Sequence, residues 1–240
     1  MIIAANLKTN LTREKTAKYI KEVESFLNQH NISQEVFVFP AISNLISSSA
    51  NVVVGAQNAY PTQNGAFTGE IGNEQLEEFG IKTILIGHSE RRHVIGETQD
   101  SLIVKFNFYK NLGFKIIYCV GEPLHIREMG HEKMMEYISA QYVGIDAAYE
   151  NLIIAYEPVW AIGTGLTPTL EDIKMINKEL KAKSTAPLLY GGSVKVTNVE
   201  EVLALDGVDG VLVGSAALYV EHFCTMCEYA QNIDKKNKKL

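Results

Sequence analysis

Eight short runs of apolar residues recur along the chain, and each run is continuous rather than alternating with polar positions. Continuous runs of this length are typical of strands buried on both faces, as in a parallel sheet. They predict strands at Ile2–Ala5, Val36–Phe39, Val52–Ala56, Thr83–Ile86, Lys115–Val120, Leu152–Tyr156, Leu188–Tyr190 and Val211–Val213.

Amphipathic helical patterns separate most of these predicted strands. Apolar residues spaced three and four apart share one helix face, so each set predicts a helix packed on a core. The segment between the second and third strands fits only a short helix around Ile42–Ser49. The four clearest sets are Ala17, Ile20, Val23 and Leu27; Leu102, Ile103, Phe106 and Tyr109; Met134, Met135, Ile138 and Tyr142; and Leu170, Ile173, Ile176 and Leu180.

Alternation of strands and helices along the whole chain predicts an α/β fold with a parallel sheet and right-handed crossovers. Eight strands permit a closed (β/α)8 barrel, whereas an open doubly wound sheet usually has fewer. No composition break marks a boundary, so we expect a single domain over residues 1–240. The charged tail Asp234–Lys239 is interpreted as a solvated helix end.

Composition and charge restrict the kinds of molecule that the protein is expected to bind. The net charge of −6 argues against a nucleic-acid binder, although a local field can still attract an anionic substrate. The three cysteines suit a reducing compartment, and the first residues do not resemble a signal peptide. No apolar run reaches the length needed to span a membrane. We therefore expect a cytoplasmic protein that binds neither nucleic acid nor membrane.

Polar residues of functional type follow the predicted strands. In a barrel, the carboxyl ends of all strands meet at one rim, where barrel enzymes carry their active sites. These residues are Asn6, Lys8, Gln57, Asn58, His88, Ser89, Glu90, Glu122, Glu157, Gly191, Gly192, Ser193, Gly214 and Ser215.

The sixth strand ends directly in a carboxylate. Glu157 follows Leu152–Tyr156, and Pro158 stops the strand because proline has no N–H to donate to a sheet ladder. The next segment, Pro158–Gly165, is apolar and contains glycines, so it is suited to fold over Glu157. A carboxylate beneath a flap that excludes water is a candidate general base.

Two glycine-containing loops follow the last two strands, Tyr190–Ser193 and Val213–Ala216. Glycine lets backbone N–H groups approach a ligand, and helix N-termini add positive potential for a phosphate. Each loop alone would fit a simple chain reversal, but the pair favours a phosphate site. Lys8 is either a solvated lysine or, on the same side as Asn6, a cation that faces the phosphate.

His88 begins the turn Gly87–Arg92, close to a predicted helix N-terminus. Positive potential there lowers the pKa of an imidazole and favours a neutral ring that can still donate a hydrogen bond. The alternative is a histidine that only packs. Glu90, Arg91, Arg92, Glu97 and Glu122 are expected to form a supporting ion network. His222, Cys224 and Cys227 do not form a convincing metal site.

Several of these motifs together resemble those of the triosephosphate isomerase family, in the family's order, from about residue 2 to residue 220. A lone Gly-Gly-Ser would be weak support, whereas the histidine block and the flap block are highly specific. The matching segments are Asn6-x-Lys8, Gln57–Asn58, Asn64–Glu70, Gly87–Arg92, Glu157–Gly165, Tyr190–Ser193 and Val213–Gly214.

The resemblance implies a (β/α)8 TIM barrel that interconverts dihydroxyacetone phosphate and D-glyceraldehyde 3-phosphate in glycolysis and gluconeogenesis, without a metal or organic cofactor. It implies Glu157 as the base, His88 as a neutral electrophile, and Lys8 and Asn6 beside the developing charge. Glu90 is implied as a supporting residue. The implied phosphate contacts are Gly163, Ser193, Gly214 and Ser215.

The resemblance also implies a homodimer, in which the loop Asn64–Glu70 of one subunit brings Thr68 close to the site of the other. The chain departs from the family at Leu7, at Ser215 and at Leu166–Pro168, but no chemical group is lost. A different sugar-phosphate barrel would not explain why a base, an imidazole and an ammonium occur together. A phosphate sensor without activity would be expected to lack one of them.

Overall fold

A computed structural model of the protein describes residues 1–162, 164 and 166–237. Its eight parallel strands confirm the predicted (β/α)8 barrel, with bounds close to those predicted. The strands are β1 Ile2–Asn6, β2 Glu35–Phe39, β3 Val52–Val54, β4 Thr83–Ile86, β5 Lys115–Val120, β6 Leu152–Tyr156, β7 Leu188–Tyr190 and β8 Gly210–Val213.

The strands pair in the order β3-β2-β1-β8-β7-β6-β5-β4, and a parallel bridge joins Ile84 of β4 to Ala56, which lies two residues beyond β3. The third strand is shorter than predicted, because it ends before Gly55 rather than at Ala56. Gly55 lies against the Phe39 ring, where a Cβ atom would stand 2.3 Å from Cε1. Only glycine fits at this point of closure.

Helices cover the outside of the barrel. They are α1 Arg13–Gln29, α2 Asn73–Glu77, α3 Ser89–His93, α4 Gln99–Asn111, α5 Leu124–Arg127, α6 His131–Ala140, α7 Leu170–Lys183, α8 Val199–Leu203 and α9 Val220–Asn237. Threonine caps begin α1, α4 and α7, since each threonine side chain accepts a backbone N–H of the first turn. Two residues that were predicted to lie on the buried face of a helix do not: Ala17 is exposed, and Tyr142 lies beyond the end of α6.

The predicted short helix at Ile42–Ser49 is wrong beyond its first turn. Only Ile42–Asn44 forms a 3-10 turn. The rest is held by side chains: Glu24 of α1 accepts hydrogen bonds from Ser49 and from both the backbone and side chain of Asn51. These bonds fix Ser49 and the adjoining Asn51 against α1.

Side chains alternate along each strand between the barrel interior and the helix layer. In β1, Ile2 and Ala4 point inward, while Ile3 and Ala5 pack against helices. In β6, Ile153 and Ala155 point inward. Continuing this period of two places Glu157 on the inward side, above the packed interior. The strand register therefore positions the carboxylate.

The first residue contacts α9 at the opposite end of the barrel. The Met1 ammonium donates to Asp234 Oδ2 at 2.7 Å, and Gln34 donates to the same oxygen. The tail predicted as a solvated helix end is thus anchored at its first residue, while Lys238 and Lys239 lie outside the described residues. In the part of the chain that the structure describes, no helix combines the length and hydropathy required to cross a membrane.

Candidate active site

The carboxyl ends of the strands enclose a cavity of about 490 Å³. Of the residues predicted for the site, Asn6, Lys8, His88, Glu157, Ser193, Gly214 and Ser215 line it. Gly163 lies outside the described residues. Glu90 reaches the site through Lys8, and Thr68 lies on an exposed loop rather than in the cavity.

Glu157 is only 2% exposed and is held by two donors. The Ser89 backbone N–H donates to Oε2 at 2.8 Å, and His88 Nε2 lies 3.1 Å from Oε1. Burial favours the neutral acid, but the His88 contact, the Ser89 N–H and the Lys8 charge outweigh it and hold the pKa of Glu157 below its ordinary value. The lowered pKa favours the ionised form of Glu157.

His88 receives a hydrogen bond on one ring nitrogen and faces Glu157 with the other. The Glu90 N–H donates to Nδ1 at 3.2 Å, so Nδ1 carries no proton and Nε2 is the donor toward Glu157. This geometry is that of a neutral ring.

The predicted lowering of the His88 pKa is wrong for this arrangement. Burial does disfavour the charged ring, but the adjacent Glu157 carboxylate outweighs it, and the pKa of His88 is raised. A ligand that separated Glu157 from His88 would remove this attraction. Burial would then lower the pKa of His88.

Lys8 has a left-handed backbone with φ of 50°, an uncommon conformation for a residue with a side chain. Its N–H donates to Asn6 Oδ1 at 3.0 Å, and its ammonium lies 2.5 Å from Glu90 Oε1. Gln57 Nε2 donates to the Lys8 carbonyl at 2.8 Å and to the Phe39 carbonyl at 2.9 Å. Gln57 thus holds the strained backbone. The sequence predicted that Gln57 lies at this rim but indicated no role for it.

Glu122 anchors the start of the flap. It is fully buried and accepts hydrogen bonds from Trp160 Nε1 at 2.9 Å and from the Tyr156 hydroxyl at 3.2 Å. Burial raises the pKa of Glu122. The Arg127 guanidinium stacks on the Trp160 ring with its carbon 4.5 Å from the ring centroid. These contacts hold the first half of the flap in its present position.

The two predicted glycine loops line one end of the cavity. Gly191 and Gly192 are also required for packing, since Cβ atoms there would lie 3.0 Å from Glu157 Cγ and 2.2 Å from the Tyr190 hydroxyl oxygen. The sequence predicted helix N-termini that add positive potential at these loops. A 3-10 turn, Ser215–Leu218, begins within the second loop, whereas α8 begins eight residues downstream of Gly191, at Val199.

Two polar residues that line the cavity had no place in the sequence prediction, Asn10 and Lys195. Asn10 follows Lys8 in the same loop and donates to the Leu7 carbonyl. Lys195 follows Ser193 by two residues, so proximity to a predicted phosphate loop was the only available signal.

Comparison with known proteins identifies the family of the chain. The sequence model of the family described as triosephosphate isomerase matches residues 1–230. A Wolinella succinogenes protein named triosephosphate isomerase is 50% identical over 230 residues, covering 95% of this chain and 99% of the relative. Proteins of the same name from Sulfurovum and Nitratiruptor are 52% and 48% identical, covering 94% and 97% of this chain and 99% and 100% of their own lengths. The chain therefore belongs to the triosephosphate isomerase family and is an isomerase.

Proposed function

We propose that the cavity interconverts dihydroxyacetone phosphate and D-glyceraldehyde 3-phosphate, with Glu157 as the base, His88 as the electrophile and Lys8 as the stabilising cation. The observation that carries the proposal is that these three groups line one cavity although they lie up to 149 positions apart in the sequence. The family supports the reaction, and the geometry supports the roles.

Each proposed role follows from the position of a proton or a charge. Glu157 removes a proton from the carbon beside the substrate carbonyl, and the electron pair moves to the carbonyl oxygen, which forms an enediolate. His88 Nε2–H and the Lys8 ammonium stabilise that oxygen, and Asn6 helps to orient the pair. His88 Nε2–H gives its proton to that oxygen and takes back the proton of the neighbouring hydroxyl oxygen, which becomes the new carbonyl as Glu157 returns its proton to the neighbouring carbon. Both residues therefore end unchanged. To reach substrate, Glu157 must turn away from Ser89 and His88.

The phosphate serves as a handle that does not react. Ser193, Gly214 and Ser215 line the end of the cavity proposed for it, and Gly163 on the flap is the fourth proposed contact. Phosphate binding energy would drive closure of Pro158–Gly165 and exclude water from the enediolate. Closure should move Trp160 away from Glu122, so its fluorescence should change when a phosphate-bearing substrate analogue is added. An unchanged emission would contradict a moving flap.

We further propose that residues 1–240 form one domain that acts as a homodimer. A second cavity, of about 740 Å³, adjoins the first and shares Asn6, Lys8 and His88 with it. Exposed apolar side chains lie on or near this groove, including Val94 at 81% and Ile95 at 65%, and the loop that carries Thr68 presents Phe67 at 41%. A partner's loop in the groove would cover this apolar surface and bring Thr68 to the site.

A coupled assay with D-glyceraldehyde 3-phosphate tests the reaction, and sedimentation of the active protein tests the dimer. Turnover of the triose phosphate without added metal or cofactor is expected. Binding of the phosphate ester without turnover would instead favour a sensor, and turnover of a larger sugar phosphate would favour a different barrel enzyme.

A further inference from the structure

The charge balance of the cavity is unfavourable to an anionic substrate if only the proposed catalytic groups are considered. The Lys8 ammonium is already engaged by Glu90, at 2.5 Å, and the hydrogen bonds of His88 are those of a neutral ring. The Glu157 carboxylate therefore remains as a surplus negative charge. The whole chain adds a net charge of −6. A phosphate dianion approaching this site would meet repulsion unless another cation lies near its path.

Lys195 is that other cation. It lines the same cavity as Ser193, Gly214 and Ser215, at the end proposed for the phosphate. Among the described residues, no carboxylate oxygen lies within the 4.0 Å ion-pair distance of its ammonium, in contrast with Lys8. Its positive charge is therefore available to an incoming ligand.

The backbone of Lys195 is fixed relative to the phosphate loop. The Lys195 N–H donates to Asn198 Oδ1 at 2.8 Å, while Asn198 Nδ2 donates to the Ser193 carbonyl at 3.0 Å. The Asn198 backbone N–H also donates to the Lys195 carbonyl at 3.1 Å. One asparagine thus joins the two residues, so the lysine stem starts from a defined point beside Ser193. The side chain itself is exposed and free to follow a ligand.

We propose that Lys195 is a recruiting residue that attracts the phosphate dianion of the substrate to the cavity and offsets the charge of Glu157. The inference rests on the proposed function, because it concerns the phosphate-bearing substrate of that reaction. Since the ammonium is exposed, its effect lies in the association of substrate and not in the proton transfer. The effect also weakens as salt screens the charge.

The test compares Lys195→Gln with the parent and with Lys21→Gln, which removes the same charge from an exposed position in α1. At an ionic strength of about 0.02 M, kcat/KM for glyceraldehyde 3-phosphate should fall about fivefold in Lys195→Gln, with kcat unchanged. At about 0.3 M the two enzymes should converge. Lys195→Glu should show a larger loss at low salt, and Lys21→Gln should match the parent.

Two further probes separate recruitment from a structural role. D-Glyceraldehyde, which lacks the phosphate, should be isomerised equally by Lys195→Gln and the parent. Inorganic phosphate, measured by calorimetry, should bind Lys195→Gln several times more weakly at low salt only. The proposal is overturned by equal low-salt kcat/KM values, or by a loss that persists at high salt or with glyceraldehyde. An inactive parent would contradict the proposed function, and the phosphate titration would still decide the role of Lys195.

Discussion

The two ends of the barrel use charged residues in opposite ways. At the carboxyl ends of the strands, Glu157 and His88 contact each other with side chains only 3% and 8% exposed, and Lys8 is held in a strained backbone. At the amino ends, the Lys115–Glu35 pair has side chains 34% and 39% exposed. Buried charges are costly unless they are paired, whereas half-exposed pairs cost and contribute little. The comparison indicates that one end is built for chemistry and the other for closing the barrel.

The largest expected difference between the ends is in turnover. Glu157→Gln should lower kcat by about a thousandfold, because a positioned general base contributes about 10²–10⁴-fold. Affinity for a phosphate-bearing inhibitor should be largely retained. Glu35→Gln, the same change at the amino end, should leave kcat unaltered. Steady-state kinetics on both variants make the comparison, and equal kcat for Glu157→Gln and the parent would refute the base assignment.

A smaller loss is expected when the support of a functional residue is removed. Gln57→Ala removes both donors that hold the Lys8 and Phe39 carbonyls, so the strained Lys8 backbone should relax and displace the ammonium. We expect kcat/KM to fall about tenfold to a hundredfold, as for small misplacements of a positioned group. The control is Gln34→Ala, which removes an amide donor to Asp234 at the amino end. Similar kinetics for the two variants would show that Gln57 does not position Lys8.

At the amino end the expected effect is on stability alone. Asp209 Oδ2 accepts the Leu188 N–H at 2.7 Å and contacts the Lys181 ammonium. Asp209→Ala leaves the N–H of a buried strand residue without a partner, so the free energy of unfolding should fall by about 1–2 kcal/mol with kcat unchanged. Asp206→Ala is the control, because Asp206 is 91% exposed and 3.7 Å from Lys174. Denaturant unfolding of both variants measures the difference, and a matched loss would mean that the Leu188 bond is unimportant.

The sequence was sufficient for the barrel because strand burial leaves a local signal. Runs such as Leu152–Tyr156 are apolar throughout, since one face packs in the interior and the other against helices. The helix predicted over Ile42–Ser49 is wrong because the conformation of that segment leaves no such local signal. The end of that segment, Ser49, bonds to Glu24, a polar residue from another element that no periodicity reveals.

The sequence predicted which residues lie at the candidate site better than it predicted their pKa values. Residues that follow strands converge on one rim, so Asn6, His88 and Glu157 could be placed together. The direction of the His88 pKa depends on a 3.1 Å contact with a residue 69 positions away, which a local helix argument does not contain. Lys195 was missed because an exposed lysine in a loop has no distinctive pattern.

The smallest predicted effect concerns pH, and it again separates the two ends. The pKa of His88 is raised in the folded protein by its pairing with Glu157. The pairing therefore stabilises the fold fully below the pKa of an unfolded histidine, about 6.5, and this stabilisation is lost as the pH rises through the folded-state pKa. Glu157, with a lowered pKa, stays ionised at pH 5.5. The stability difference between the parent and Glu157→Gln should therefore be greater at pH 5.5 than at pH 9, by on the order of 1 kcal/mol. For Glu35→Gln the difference from the parent should be the same at both values, because its partner is Lys115 and the pair contains no histidine. Denaturant unfolding at one protein concentration measures the free energy of unfolding of the parent and both variants. If the stability difference between the parent and Glu157→Gln were independent of pH, the buried pair of His88 and Glu157 would not gain a proton.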